Sequence, residues 1–494
     1  MREGGRGHHG ELDSGQYRRR DAALGRRCGG HAGKCGRRAK SEVVSPLSHR
    51  RSVIQERKNV STSWENLWLD ASYEAGPALS GEHEADIAIV GGGFTGLATA
   101  YFVKQLFPQK RVVVLESEFV GFGSSGRNTG ISGATLGHSL LRLQKKHGTE
   151  PVARLQQLSL QSFLLVEELI KKHHIDCDYE RNGLLLVAEN EKQLRLLEKE
   201  AKACEEVGAK AAWLDGNAAR SMFGGLDVLA GLHHAEQATL NPARFARGMK
   251  RVVESLGVEV YESSRCTRIE CGRTARLQTP GGAVRAPVVV MATNAYSNPL
   301  GLMRRKVVPF YVYNIATEPL KKAQMDAFGW PKRPTVFNMK HMFWVIRLTA
   351  DNRVVFINND ALYFYDVDRD YSHRPRQYQN HYELLVRMFP FLNGIKMTHH
   401  WGGRIGMTLS FLPCVGRGGE HGNIYYSMGY NGHGVAFSQM AGKMLAALIA
   451  GEDSELTSNM LINKAVPGIP TALFSYLGIN GYKMMYRIDD WLLS

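Results

Sequence analysis

From residue 85 onward the chain alternates short, wholly apolar runs with longer stretches of helical spacing. Ile87, Ala88, Ile89 and Val90 are uninterrupted hydrophobics, the pattern of a strand buried on both faces of a parallel sheet, and Gly91, Gly93 and Gly96 follow at once. Helical spacing resumes over 97–106, and a second apolar run over 111–115 ends in Glu116. Asn241 and Pro242 read as the cap and first residue of a helix that Gly257 stops before a strand over 258–261. A further run over 424–428 enters the glycine-rich stretch 429–434, with a helix over 435–450 ended by Gly451. Between these units, 152–174 and 191–207 have helical spacing, while 184–187, 312–317, 343–348 and 353–357 read as strands. This alternation predicts an α/β fold.

Composition enlarges the picture. A chain of 494 residues, 44% hydrophobic, has material for two to three domains. Its formal charge of +15 is concentrated at the start: residues 1–60 hold 15 Lys or Arg against 6 Asp or Glu, so the remainder is only mildly basic. Those sixty residues lack apolar periodicity and are expected to be disordered. They read as an inert extension, a polyanion-binding tail or an organelle transit peptide, the last opposed by Glu3, Glu11, Asp13 and Asp21. Seven scattered cysteines suit a reducing compartment, with cytoplasm the default, and no run approaches the roughly 18 apolar residues that span a bilayer. Cys28, His31 and Cys35, and the pairs at 233–234 and 399–400, lack the two-Cys pairs of a zinc ribbon, so no metal site is expected.

The strand, turn and helix at 87–106 carry a specific chemistry. Gly91 allows the tight turn, Gly93 lets the backbone approach a pyrophosphate, and Gly96 lets the helix over 97–106 lie against the strand, its N-terminus facing the phosphates. Glu116 is placed to accept hydrogen bonds from a ribose 2′-OH, which argues against a 2′-phosphate. A second cradle follows in Gly121, Phe122, Gly123, Ser124, Ser125, Gly126, Arg127 and Asn128, rich in small residues and hydroxyls around a fixed cation.

With that second cradle the sequence resembles the D-amino-acid-oxidase-like flavoprotein superfamily and, within it, the gamma-glutamylputrescine oxidoreductase type, whose members carry a Gly-Ala-Ser-Gly-Arg-Asn stretch here. The likeness runs from about Trp64 to the C-terminus. Residues 288–296, with Ala292, Thr293 and Asn294, resemble the family's strand and turn beneath the nucleotide. Trp401 to Arg404, 408–416 with Pro413, and Gly429 to Gly434 resemble its closing flavin-contact segments. The resemblance implies FAD as cofactor, with contacts at Gly91, Gly93, Phe94, Thr95, Gly96, Glu116, Ser124, Ser125, Arg127, Asn128, Thr267, Ala292, Thr293, Asn294, Gly403, Arg404, Gly432, His433, Gly434 and Val435. It implies a Rossmann-like, glutathione-reductase-like FAD-binding domain from 61–140, 231–299 and 399–452. A substrate domain from 141–230 and 300–398 is implied as one mixed sheet with helices on one side, followed by a C-terminal helical segment over 453–494.

The implied reaction is oxidation of a CH–NH unit in a secondary amine or amine conjugate to an imine, followed by hydrolysis, with oxygen or a quinone as electron acceptor. A helix starting at 435 places free N–H groups where charge develops on the reduced ring. His433, Arg127 and Tyr430 are the candidates for direct chemistry, a structural or flavin-contact role being favoured for His433, and Arg347, Trp401 and Arg404 are further pocket candidates. Cys414 reads as a packed small residue. Two departures bear on substrate: Ala436 stands where sarcosine oxidases carry a carboxylate-holding lysine, and Asn358 and Asn359 replace a Gly-Gly pair. Oxidation of an aminomethyl group on a tRNA base and a non-catalytic flavoprotein scaffold are the alternatives, and nucleic acid is not the expected partner. Over 461–494, Leu473, Phe474, Tyr476, Leu477, Met484, Met485 and Trp491 predict a short helical pair with one apolar face. That face is expected to lie on the protein's own surface, with a membrane surface as the other option.

Overall fold

The computed structural model describes residues 66–137, 139–301, 305–358, 361–364, 370–468 and 472–492. The basic extension over 1–60 with its Cys28, His31 and Cys35, Trp64 and Asn359 lie outside the described residues. A six-stranded sheet runs in the order Cys414–Gly418, Ile424–Met428, Val288–Met291, Ile87–Val90, Val112–Leu115 and Glu259–Tyr261. Its pairings are parallel except for the first. Every residue of Ile87–Val90 and Val112–Leu115 is buried, which is why both read as continuous apolar runs rather than alternating ones. Helix Phe94–Leu106 begins three residues earlier than its apolar spacing, because Gly93 already caps it. It crosses helix Gly434–Ala450 so closely that a Cβ on Gly442 would lie 2.5 Å from Ala98 Cβ. Asn241 caps helix Pro242–Ser255 through Arg244 N, as its sequence predicts.

The second large sheet has eight strands, in the order Met397–Met407, Val308–Pro319, Arg353–Asn358, Trp344–Leu348, Thr335–Asn338, Leu184–Ala188, Ala230–His234 and Ala212–Asp215. It is mixed, since Thr335–Asn338 pairs parallel with Leu184–Ala188 among antiparallel neighbours. Its helices lie on both faces, not one. Leu185 and Val187 share a core with Ala219, Tyr378 and Leu385, whereas Leu186 and Ala188 face the core that holds Leu197 and Cys204 of helix Glu191–Glu206. Residues 231–234 and 399–407, grouped by sequence with the nucleotide-binding segments, pair instead in this sheet, because Met397–Met407 runs along Val308–Pro319 for its whole length.

The C-terminal segment differs from its expectation. One helix, Ala472–Leu492, continues through Gly478 and Gly481 in place of a helical pair. Tyr486 stacks on His341 at 4.5 Å, and the Asp490 carboxylate accepts from the backbone N–H groups of His341 and Met342, each at 2.6 Å. Among the described residues nothing covers the apolar stripe: Leu477, Met484, Ile488 and Trp491 are exposed, Trp491 by 75%. No helix of the described residues is long and apolar enough to cross a membrane.

Candidate functional site

The first turn is shaped by exclusion. Gly91 has φ +107°, and a Cβ there would meet Ala292 O at 2.8 Å. A Cβ on Gly93 would lie 2.8 Å from Ser125 Oγ, and one on Gly96 would lie 1.9 Å from Gly91 O. Backbone contact therefore dictates glycine at 91 and 96, the latter setting how near the helix comes to the strand, while a side chain at 93 would have to displace the Ser125 hydroxyl. Beside them, the Glu116 carboxylate accepts from Gly92 N at 2.8 Å, from Glu118 N and from Ser117 Oγ. Burial raises its pKa, opposed by these backbone and hydroxyl donors. Acceptor oxygens at the end of the second strand suit a pair of ribose hydroxyls.

The second cradle bridges the two large sheets. Ser125 Oγ accepts from Phe94 N at 3.0 Å, which ties it to the first helix. Ser124 Oγ donates to Arg404 O at 2.6 Å, and Asn128 Nδ2 donates to Ser124 O and Ser125 O. The Arg127 guanidinium donates to Phe122 O, Ser372 Oγ and Gly402 O, and a Cβ on Gly403 would touch Arg127 Cβ at 3.0 Å. Arg127 thus fastens the cradle to strand Met397–Met407.

A third junction closes the site. Asn431, at φ +52°, accepts from Thr408 N at 2.9 Å and donates to Gly429 O, while its own N–H reaches Gly406 O. Asn294 Oδ1 accepts from Gly429 N at 2.9 Å, and Ala292 N donates to Val90 O. Thr293 Oγ1 pairs with Ser297 Oγ at 2.8 Å. Gly432 has φ +90° with open space where a Cβ would stand, immediately before helix Gly434–Ala450. That exposed helix start offers N–H groups to an acceptor.

His433 caps this helix and its Nδ1 lies 3.1 Å from Asn431 O. A carbonyl only accepts, so Nδ1 carries the proton and Nε2 is the acceptor nitrogen of the neutral ring. Burial lowers its pKa, with the Asn431 carbonyl pulling the other way. Arg404 Nε donates to Tyr311 Oη at 2.5 Å, and its guanidinium lies 5.2 Å from the Tyr296 ring centroid. Burial raises the pKa of both phenols against the nearby arginines.

Three sequence candidates sit differently from expectation. Tyr430 Oη is shared between Thr95 Oγ1 at 2.6 Å and Ser427 Oγ at 2.8 Å, inside the packing between the first helix and strand Ile424–Met428. Burial raises its phenol pKa, opposed by the Ser427 and Thr95 hydroxyls, and the two hydrogen bonds tie Tyr430 into this packing. Val435 and Ala436 face the core. Thr267 is exposed, and its N–H and hydroxyl both reach Gln278 O on strand Ala275–Thr279, outside the two large sheets. Sequence reasoning missed Tyr311 and Ser372, and it covered Tyr296 and Asn431 only as members of the segments 288–296 and 429–434 without singling them out. Only Asn431 carried a signal, as a residue type that tolerates left-handed φ inside a glycine-rich turn.

Two nucleotide-type cradles, an acid at the end of the second strand and a helix start beside open space define a flavin-dependent oxidoreductase with a discontinuous dinucleotide fold. The chain belongs to the DAO family of FAD-dependent oxidoreductases, whose family model matches residues 86–448. It is 33% identical over 376 residues to the gamma-glutamylputrescine oxidoreductase of Escherichia coli (strain K12), spanning 74% of this chain and 84% of that protein. It is 22% identical to the sarcosine oxidase subunit beta of Rhodobacter capsulatus, over 84% of this chain and 95% of the relative. Among solved structures, glycine oxidase from Geobacillus kaustophilus superposes with a TM-score of 0.63 at 22% identity, covering 75% of this chain and 96% of that one. L-proline dehydrogenase from P. horikoshii gives a TM-score of 0.63 at 18% identity, over 82% and 99%. The chain is accordingly an FAD-dependent enzyme that oxidises amines or amino acids.

Proposed function

We propose that this enzyme oxidises the CH–NH bond of a secondary amine or amine conjugate, of the gamma-glutamylputrescine type, to an imine that water hydrolyses to a carbonyl compound and a free amine. The 33% identity to a gamma-glutamylputrescine oxidoreductase over 74% of the chain is the observation that carries this reading. Gly91, Gly93, Phe94, Thr95 and Gly96 would hold the pyrophosphate, Glu116 the ribose, and Ser124, Ser125, Arg127 and Asn128 the ring side of FAD. When bound, FAD accepts the hydride. The chain's own part is to position and to stabilise charge. The start of helix Gly434–Ala450, with Gly432, His433 and Gly434, supplies dipole and N–H groups to developing negative charge. Neutral His433 Nε2 is suited to receive a proton from the substrate amine. Arg404, Tyr296 and Tyr311 form an aromatic and cationic wall suited to the polar tail of a conjugate. Ala436 leaves that helix without the sarcosine-oxidase lysine, which supports a substrate other than a small N-methyl amino acid. Turnover of gamma-glutamylputrescine with release of a hydrazine-trappable aldehyde supports the reading. Turnover of N-methyl amino acids alone overturns it.

The acceptor reading follows the C-terminal helix. Leu477, Met484, Ile488 and Trp491 form one exposed stripe, with Lys483 and Arg487 on its flank, a pattern that suits an anionic membrane surface and a lipid-dissolved quinone. Flotation of the intact protein with anionic vesicles, lost when residues 469–494 are removed, is the expected result. Absence of flotation by the intact protein removes the membrane and leaves oxygen as acceptor.

A further inference from the structure

The cradle between residues 126 and 130 has a feature that neither glycine-rich turn shares: each of its five successive carbonyls accepts from a side chain. Gly126 O accepts from Asn66 Nδ2 at 2.9 Å, Arg127 O from Trp401 Nε1 at 3.0 Å, and Asn128 O from Trp68 Nε1 at 2.8 Å. Arg347 Nη1 donates to Thr129 O at 2.8 Å and to Gly130 O at 2.7 Å. Carbonyls outside helices and strands ordinarily go to neighbouring N–H groups or to water. Here four side chains from three separate parts of the chain take them, with Gly130 O accepting from Leu240 N as well.

The donors also hold one another. The Trp68 and Trp401 rings meet edge to face at 5.8 Å, and the Arg347 guanidinium lies 5.2 Å from the Trp68 ring. Asn66 and Trp68 begin a strap over 66–76, and Asn66 Oδ1 accepts from Trp68 N at 3.0 Å, which sets these two residues against each other. Farther along, Tyr73 Oη donates to Glu262 Oε1 at 2.8 Å and Gly76 N to Glu262 Oε2, while Lys250 Nζ pairs with the same carboxylate at 2.8 Å. The strap is therefore anchored at both ends, and it precedes residue 86, where the match to the family begins.

We propose that Asn66 and Trp68 are positioning residues for the flavin. In a trans peptide the C=O of one residue and the N–H of the next point opposite ways. Fixing the carbonyls of Gly126 and Asn128 therefore fixes the N–H groups of Arg127 and Thr129, and aims that of Thr129 away from Trp68. The strap sets the peptide planes of the cradle, and with them the register of Ser125 and Arg127, before the cofactor arrives. This rests on the reading that residues 124–128 hold FAD.

The test uses the full chain, with and without FAD. Trp68→Phe keeps the ring against Trp401 and removes only the N–H donor; Asn66→Asp keeps the acceptor for Trp68 N and removes the donor to Gly126 O. Each is expected to raise the FAD dissociation constant about fivefold to tenfold, as loss of a donor to a buried carbonyl implies. Each should also weaken the visible circular dichroism of the bound flavin at temperatures well below apoprotein melting, which itself falls only modestly as a carbonyl loses its donor. Parent-like affinity and dichroism in both variants, or a fall in apoprotein melting alone, overturns the proposal and makes the strap a mere cover. Gly93→Val separates the two ideas. If it abolishes FAD binding while both strap variants bind like the parent, only the strap proposal fails; if it too binds like the parent, the cradle reading fails with it.

Discussion

Two strand, turn and helix units meet in this molecule, Ile87–Val90 into Phe94–Leu106 and Ile424–Met428 into Gly434–Ala450, and they reach similar shapes by different means. In the first, backbone contact demands glycine at 91 and 96, and a side chain at 93 would have to displace the Ser125 hydroxyl. In the second, Gly432 faces open space and Asn431 holds the turn by hydrogen bonds to Thr408 and Gly429. One turn is defined by what it excludes, the other by what it ties. The sterically defined turn should tolerate no side chain, and the tied turn should weaken in proportion to the bonds removed.

Gly96→Ala breaks the comparison at its strongest point, since the added Cβ would stand 1.9 Å from Gly91 O. A loss of about 3 kcal/mol or more in denaturant unfolding is expected, with flavin retention lost alongside. A melting curve like the parent's would show that the turn has slack. Asn431→Ala should cost about 2 kcal/mol, because Thr408 N and Gly429 O lose their partner and alanine must adopt φ +52°. A denaturant midpoint unchanged from the parent counts against the tied turn.

His433 sharpens the comparison through pH. Its ring is held below its ordinary value near 6.5, so it is neutral at pH 7. The fold favours the neutral form, so the ring's contribution to stability is complete above that value and is lost as pH falls from 6.5 toward the folded pKa. As a proton acceptor it gives kcat/KM an acid limb below pH 6.5, and His433→Asn should lower kcat/KM about tenfold and remove that limb. An unaltered limb in the variant assigns the titration elsewhere. The smallest effect belongs to Tyr430→Phe, which loses hydrogen bonds to Thr95 and Ser427. About 1 kcal/mol of stability should go, with kcat within about twofold of the parent. A collapse of kcat with unchanged stability would return Tyr430 to the chemistry.

The parts legible in the sequence are those whose reasons are local. Gly91, Gly93 and Gly96 follow a buried strand, Glu116 ends the next one, and Asn241 with Pro242 announces a helix, so a few adjacent residues carry each message. The rest depends on partners far away. Met397–Met407 reads like a continuation of the flavin-contact segments, yet its place is decided by pairing with Val308–Pro319. Ser372 matters because Arg127 reaches it across 245 positions, and nothing around Ser372 advertises that. Tyr430 stands beside glycines in the sequence, and only the fold shows its hydroxyl held between Thr95 and Ser427. The helix Ala472–Leu492 runs through two glycines because its docking contacts, Tyr486 on His341 and Asp490 on two backbone N–H groups, outweigh local propensity.

The most direct measurement is anaerobic mixing of the FAD-loaded enzyme with gamma-glutamylputrescine, with putrescine and with sarcosine, following the visible flavin band. Full and rapid bleaching by the conjugate is expected, with slow or no bleaching by the other two. A flavin that stays oxidised with the conjugate and bleaches with sarcosine would contradict it.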